Sequence, residues 1–133
     1  MTPLLTGTEE ALLRQLTADP IVALTTSLIA ERSENPGATE ATTVAVLADA
    51  CRNAGLAVDV VDAAPGRPNL VATLPGPSTP GPALLFLGHS DVVPAGTGWS
   101  QDPFGARVSG GRLTGRGAAD MKGGLAAIVA AMG

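Results

Sequence analysis

Ala83-Leu84-Leu85-Phe86-Leu87-Gly88-His89-Ser90-Asp91 is the stretch on which the fold turns. Its uninterrupted apolar run, ended by a glycine, has the length of a strand, and apolar residues at both parities describe a strand buried on both faces. His89 and Asp91 follow at its carboxyl end, the edge where α/β sheets place their ligand sites. If the backbone stays extended there, side chains two residues apart project to one side. A carboxylate beside a histidine accepts the proton of one ring nitrogen, fixes the tautomer and leaves the other nitrogen free to bind a metal. A lone His-x-Asp also occurs as an ordinary hydrogen-bonded pair in polar loops, so this reading needs support from elsewhere in the chain.

Upstream, residues 56–61 alternate around Asp59 and residues 69–74 form a second short run, giving two more strand candidates. Pro75-Gly76-Pro77-Ser78-Thr79-Pro80-Gly81-Pro82 then permits only a turn or loop, too short for a domain boundary. Nearer the start, Thr6 lies three residues before Glu9 as a capping box, and Ala11, Leu12 and Leu16 share one stripe of a short helix ending near residue 17. Asp19 as cap and Pro20 in the first turn restart a helical pattern through Ile21, Leu24 and Leu28, which Ser33-Glu34-Asn35-Pro36-Gly37 breaks. Thr39 and Glu40 open a third helix with Thr43, Val44, Leu47, Ala48 and Cys51 on its apolar face and Gly55 as its stop. Cys51 reads as a small buried hydrophobe, because nothing near it in sequence would lower its thiol pKa.

Downstream the chain is irregular through Gly98, and residues 106–108 and 112–114 then flank Gly110-Gly111 as a hairpin. A bend at residues 115–117 leads to a helix from Met121 with Leu125, Ile128 and Val129 inward. Helices and strands in this order around a buried central strand describe a three-layer α/β domain. The glycine-rich segment Gly115-Arg116-Gly117-Ala118-Ala119-Asp120-Met121-Lys122-Gly123-Gly124 does not suit a phosphate. An acid stands at the third glycine position, and Gly123 follows Lys122 where a phosphate loop has Ser or Thr. Asp120 suits cations instead, since one carboxylate can span two metal ions roughly 3.5–4 Å apart.

Composition narrows the partners. Apolar residues make up 45% of the chain and charged residues 15%, enough for a core but poor in surface charge, which either an uncovered partner surface or the abundance of alanine would explain. Eight basic residues stand against 12 acidic ones, with no Tyr, two Phe and one Trp, so a basic, aromatic nucleic-acid surface is excluded. A single cysteine excludes a disulfide scaffold and makes the cytoplasm the default location. Residues 1–16 carry Glu9 and Glu10 and do not read as a signal peptide. The apolar runs at 83–87 and 125–132 fall far short of the roughly 20 residues of a membrane span.

Gly88-His89-Ser90-Asp91-Val92-Val93-Pro94, then Trp99, Asp102-Pro103-Phe104, Gly111-Arg112-Leu113 and the segment from Gly115 to Gly124, resemble in order the metallopeptidase superfamily that contains acetylornithine deacetylase, succinyl-diaminopimelate desuccinylase, aminoacylase and bacterial carboxypeptidases. Ser33-x-Asn35-Pro36-Gly37 and Glu40 extend the resemblance upstream more weakly, and Thr114 departs from it where the family has an aromatic residue. The resemblance implies a zinc-peptidase-like catalytic domain, a mixed sheet with flanking helices, of which residues 1–133 are the N-terminal portion. It implies two zinc (or cobalt) ions, with His89 a ligand of one, Asp120 bridging both and Asp91 the catalytic-site partner that orients His89. The reaction implied is hydrolysis of the amide bond of N-acyl amino acids or small peptides by a metal-activated water. The glutamate base, the later ligands and the dimerisation or lid domain of the family would then lie beyond residue 133, and the parent enzyme would be a homodimer.

His89 is the only histidine, and zinc sites take three or four protein ligands, so His89 and Asp120 alone are expected to hold metal weakly and the isolated chain to be inactive. The alternative is a non-catalytic remnant, a weak metal-binding or interaction module. Glu31, Glu34 and Glu40 read as solvated surface, and Trp99 and Phe104 as packing beneath a loop. Arg112 and Arg116 read as loop braces, and Lys122 as a salt-bridge partner of Asp120 or Asp91.

Overall fold

The computed structural model describes residues 5–76 and 81–133. Residues 77–80 of the expected 75–82 turn, and the first four residues of the chain, lie outside the described residues. The elements are α1 (Gly7–Gln15), α2 (Ala18–Ala30), α3 (Ala41–Asn53), β1 (Ala57–Ala64), β2 (Arg67–Thr73), β3 (Arg107–Ser109), β4 (Arg112–Thr114) and α4 (Gly123–Met132), with an irregular turn over Ala118–Lys122 leading into α4.

Periodicity fixes the core. On α3, Thr43, Val44, Leu47, Ala48 and Cys51 are the buried residues, the face that the 3.6-residue repeat marks. That face packs on β1 and β2, while α2 packs on α4. Leu28, Leu47, Cys51, Leu56, Leu125 and Val129 form the shared cluster. Fully burying each such aliphatic side chain contributes about 1.5–3 kcal/mol. Strands β1 and β2 form an antiparallel hairpin that pairs Ala57 with Thr73 and Val61 with Asn69. Strands β3 and β4 pair antiparallel around Gly110 and Gly111, both at positive φ as a two-residue hairpin turn requires.

Helix α1 begins as its capping box dictates: Glu9 N donates to Thr6 Oγ1, and Thr6 N donates to Glu9 Oε2 at 2.6 Å. It buries no residue, so its Leu12 and Leu16 stripe exists without a surface to cover it. Helix α2 starts two residues earlier than the Asp19 cap would place it, with Thr17 at the cap and Asp19 inside the first turn.

The central strand is the main correction. Residues 83–87 pair with no strand among the described residues, and Leu84, Leu85 and Leu87 are 80%, 82% and 87% exposed. A cavity of about 640 Å³ lies between this segment and Leu47, Cys51, Leu70 and Leu125. A strand apolar on both faces needs neighbours along both edges and layers on both sides. The described residues supply only two separate two-stranded antiparallel sheets, and neither pairs with residues 83–87. The class is α/β, without a mixed sheet among the described residues.

Candidate metal centre

The site forms where three segments meet. Val92 makes a parallel bridge to Glu34, with Val92 N donating to Ser33 O at 2.9 Å and Asn35 N donating to Val92 O at 2.8 Å. This bridge fixes the chain just after His89-Ser90-Asp91 against the loop that follows α2. The turn from Gly117 to Lys122 crosses over Val92 so closely that a Cβ on Gly117, which sits at φ +82°, would come within 2.5 Å of Val92 Cγ1. Only glycine accommodates both the conformation and the approach. A Cβ on Gly88 would meet only the flexible ends of the Leu125 and Met121 side chains, each at 2.9 Å. Gly117 is thus the glycine that lets the Asp120 turn lie against Val92, beside His89.

His89 and Asp120 come together, with Nε2 lying 3.0 Å from Asp120 Oδ1. The other ring nitrogen, Nδ1, lies 3.1 Å from the backbone oxygen of Asp91 and 3.3 Å from its Oδ1. The expectation that His89 and Asp91 share a side holds. Together with Val93, Arg116 and Ala119 these residues line a cleft of about 230 Å³, in which His89 is half-exposed and Asp120 largely exposed.

Both ring nitrogens therefore face oxygens that only accept, whereas a neutral imidazole carries a single N–H. One contact is satisfied by the ring proton and the other needs a second proton or another cation. Burial disfavours the imidazolium, but hydrogen bonds to Asp120 and to the Asp91 backbone, with the charges of both carboxylates, outweigh it and raise the His89 pKa above its ordinary value. The same arrangement suits a divalent ion in place of the Nε2 proton: one imidazole nitrogen, one carboxylate, and an acceptor behind the ring to hold the tautomer. The fit extends to these ligands only, since among the described residues no group of three or more His, Cys, Asp or Glu side chains could hold a metal ion.

Several expectations for neighbouring residues need revision. Lys122 pairs with neither Asp120 nor Asp91. It is fully buried, and its Nζ donates to the backbone oxygens of Leu28 and Glu31, both at 2.7 Å. Burial lowers its pKa to about 8 against the opposing charge of Glu31. Glu40 is not solvated surface: it is buried and takes a 2.6 Å ion pair from Arg67. Glu34 is half-buried and accepts from Ala95 N at 2.8 Å. Arg116 braces its loop as expected, donating to Ala95 O at 3.1 Å and stacking over Trp99, whose Nε1 donates to the same oxygen. Phe104 is buried beneath Arg32, whereas Arg112 is exposed on β4. Asn35, whose Nδ2 lies 3.3 Å from Asp91 Oδ2, is a site neighbour to which sequence reasoning gave no role, although Ser33-x-Asn35-Pro36-Gly37 was already part of the resemblance.

Residues 85–133 match the model of Peptidase family M20/M25/M40. A succinyl-diaminopimelate desuccinylase of Methylobacterium radiotolerans is 53% identical over 91 residues, 65% of this chain and 22% of that protein. Proteins of the same name from Methylobacterium nodulans and Zymomonas mobilis are 43% and 45% identical over 84% and 85% of this chain, covering 28% and 30% of their own lengths. These matches support the M20 metallopeptidase and deacylase superfamily as the family this chain resembles. It spans less than a third of the length of these relatives. No helix among the described residues is long and apolar enough to cross a membrane.

Proposed function

We propose that residues 1–133 supply the first ligands of a two-metal amidohydrolase: His89 binds one zinc or cobalt ion, Asp120 bridges two, and Asp91 holds the His89 ring. The observation that carries this reading is the His89 ring with an accepting oxygen at each nitrogen, 3.0 Å from Asp120 and 3.1 Å from Asp91. Bound ions would activate water toward an amide carbonyl. The chain's own residues orient the imidazole, keep its Nδ1–H directed at the Asp91 oxygens and present the Asp120 carboxylate to the cleft. The relatives' name points to an N-succinyl diamino acid within the broader class of N-acyl amino acids and small peptides. The further ligands and the general base would come from sequence beyond residue 133, in a three-layer zinc-peptidase-like domain with a mixed sheet, within a cytoplasmic homodimer.

A second reading is the non-catalytic one. With no group of three ligands among the described residues, the 133-residue chain alone would be a weak metal-binding module without catalysis. One experiment separates the two: zinc titration and an N-succinyl-diaminopimelate hydrolysis assay on the polypeptide as it occurs in its source cells, beside the 133-residue chain. The enzyme reading expects zinc-dependent hydrolysis by the natural product. A natural product of 133 residues that binds zinc without hydrolysing the amide would leave only the module.

A further inference from the structure

We propose that residues 28–35, the end of α2 and the loop after it, form one brace that positions both halves of the metal pair, with Asn35 and Lys122 as its positioning residues. This rests on reading His89 and Asp120 as cation ligands.

The two halves reach the site from distant parts of the chain, yet both are tied to this one segment. On the His89 side, Ser33 is fully buried and its Oγ donates to Ser90 O at 2.7 Å, between the two site residues. Ser33 O and Asn35 N hold Val92 by two backbone hydrogen bonds, and Glu34 Oε1 accepts from Ala95 N. Asn35 Nδ2 faces Asp91 Oδ2 at 3.3 Å, while Oδ1 of the same carboxylate faces His89 Nδ1 at 3.3 Å. A carboxylate held at both oxygens cannot rotate freely about its terminal torsion, so Asn35 fixes the plane in which the ring's acceptor lies.

On the Asp120 side, Lys122 N donates to Gly117 O at 2.9 Å and closes the turn that carries the carboxylate. The Lys122 side chain then runs into the interior, and its ammonium is held by the carbonyls of Leu28 and Glu31. Burying an ammonium is costly unless it is hydrogen-bonded. Here the free carbonyls at the C-terminal end of α2, where the helix dipole favours a cation, supply the partners. An apolar side chain would fill the space and leave those carbonyls unsatisfied. The lysine therefore fixes the Asp120 turn to a definite point, two residues before Ser33, from which the His89 side is also held.

The test uses the 133-residue chain with Asn35→Ala, with Lys122→Met, and with Ala48→Gly as a control that weakens the buried face of α3 at a residue lining neither the 640 Å³ cavity nor the metal cleft. Zinc affinity is measured by competition with a chromophoric chelator, thermal stability by circular dichroism, and the His89 ring of the metal-free chain by two-bond 1H–15N correlation. Asn35→Ala and Lys122→Met are each expected to weaken zinc binding about tenfold or more, in the range for residues that orient a ligand. Asn35→Ala should also change the tautomer balance of the ring, and Ala48→Gly should lower Tm while leaving zinc affinity and ring signals unchanged. If Lys122→Met does not fold, Asn35→Ala decides. Zinc binding and ring signals that stay unaltered in Asn35→Ala, or that move equally in Ala48→Gly, overturn the brace. An unsubstituted 133-residue chain that takes up no zinc, with the ring response seen in Asn35→Ala alone, sinks the metal reading and leaves the brace standing; absence of both sinks both.

Discussion

Two stretches that the sequence paints in opposite colours exchange places in the structure. Residues 83–87 are the most apolar run before the last helix and lie open, with Leu85 at 82% exposure, while Lys122 is fully buried. Hydrophobicity reports what a segment requires, and a strand apolar on both faces requires strands along both edges and layers on both faces, which two separate hairpins do not place around it. The lysine is inside because two carbonyls at the end of a helix were waiting for a donor. Burial follows the availability of partners, and partners distant in sequence leave no local pattern.

The contrast can be broken by mutation. Leu47→Ala, in the cluster on α3, is expected to cost about 2–5 kcal/mol in chemical denaturation, whereas Leu85→Ala should change stability by no more than about 0.5 kcal/mol. Equal losses would mean that residues 83–87 pack against the core in solution. Gly117→Ala sets a strained φ against a 2.5 Å approach to Val92 and should cost roughly 1–3 kcal/mol, with zinc affinity falling alongside. A fully tolerated alanine there would show that the Asp120 turn is not held against Val92.

Smaller effects sharpen the picture at the site and at the periphery. The His89 pKa is raised, so in the metal-free chain its contribution to stability is fully present below the unfolded value near 6.5 and is lost as pH rises through the folded value. Zinc and the second ring proton compete for Nε2, and zinc affinity should therefore fall by about tenfold per pH unit below the folded pKa. A pH-independent affinity between 5 and 8 would remove His89 from the ligand set, and titrations with a zinc buffer would show it. Glu9, whose pKa is lowered by its hydrogen bonds to the Thr6 backbone and side chain, supports α1 above pH 4.5, with that support lost as pH falls through its folded pKa. Because α1 buries nothing, the effect should appear as a small loss of helical circular dichroism without a change in the main unfolding transition, and Glu9→Gln should abolish it.

The local parts of this fold are legible because local physics makes them. The capping box at Thr6 and Glu9, the α3 stripe through Val44 and Leu47, and the Gly110-Gly111 turn follow from spacing and conformational freedom alone. His89 and Asp91 are legible as a pair because they are two residues apart. The approach of Asp120 follows from the resemblance and from its glycines, but not from any periodicity. What the sequence leaves unmarked is long-range and polar: Lys122 reaching back to Leu28, Asn35 facing Asp91, and Glu40 buried against Arg67. Charged side chains read as surface by default, and only the folded backbone shows which of them have a partner inside.

The central claim is that His89 and Asp120 share a cation. The most direct measurement is a zinc-edge anomalous difference map from crystals of the 133-residue chain soaked in zinc. The expected result is a peak bonded to His89 Nε2 and a carboxylate oxygen of Asp120, with Asp91 on the far side of the ring. A map with no peak in that cleft, or with zinc held only by surface carboxylates elsewhere, would contradict it.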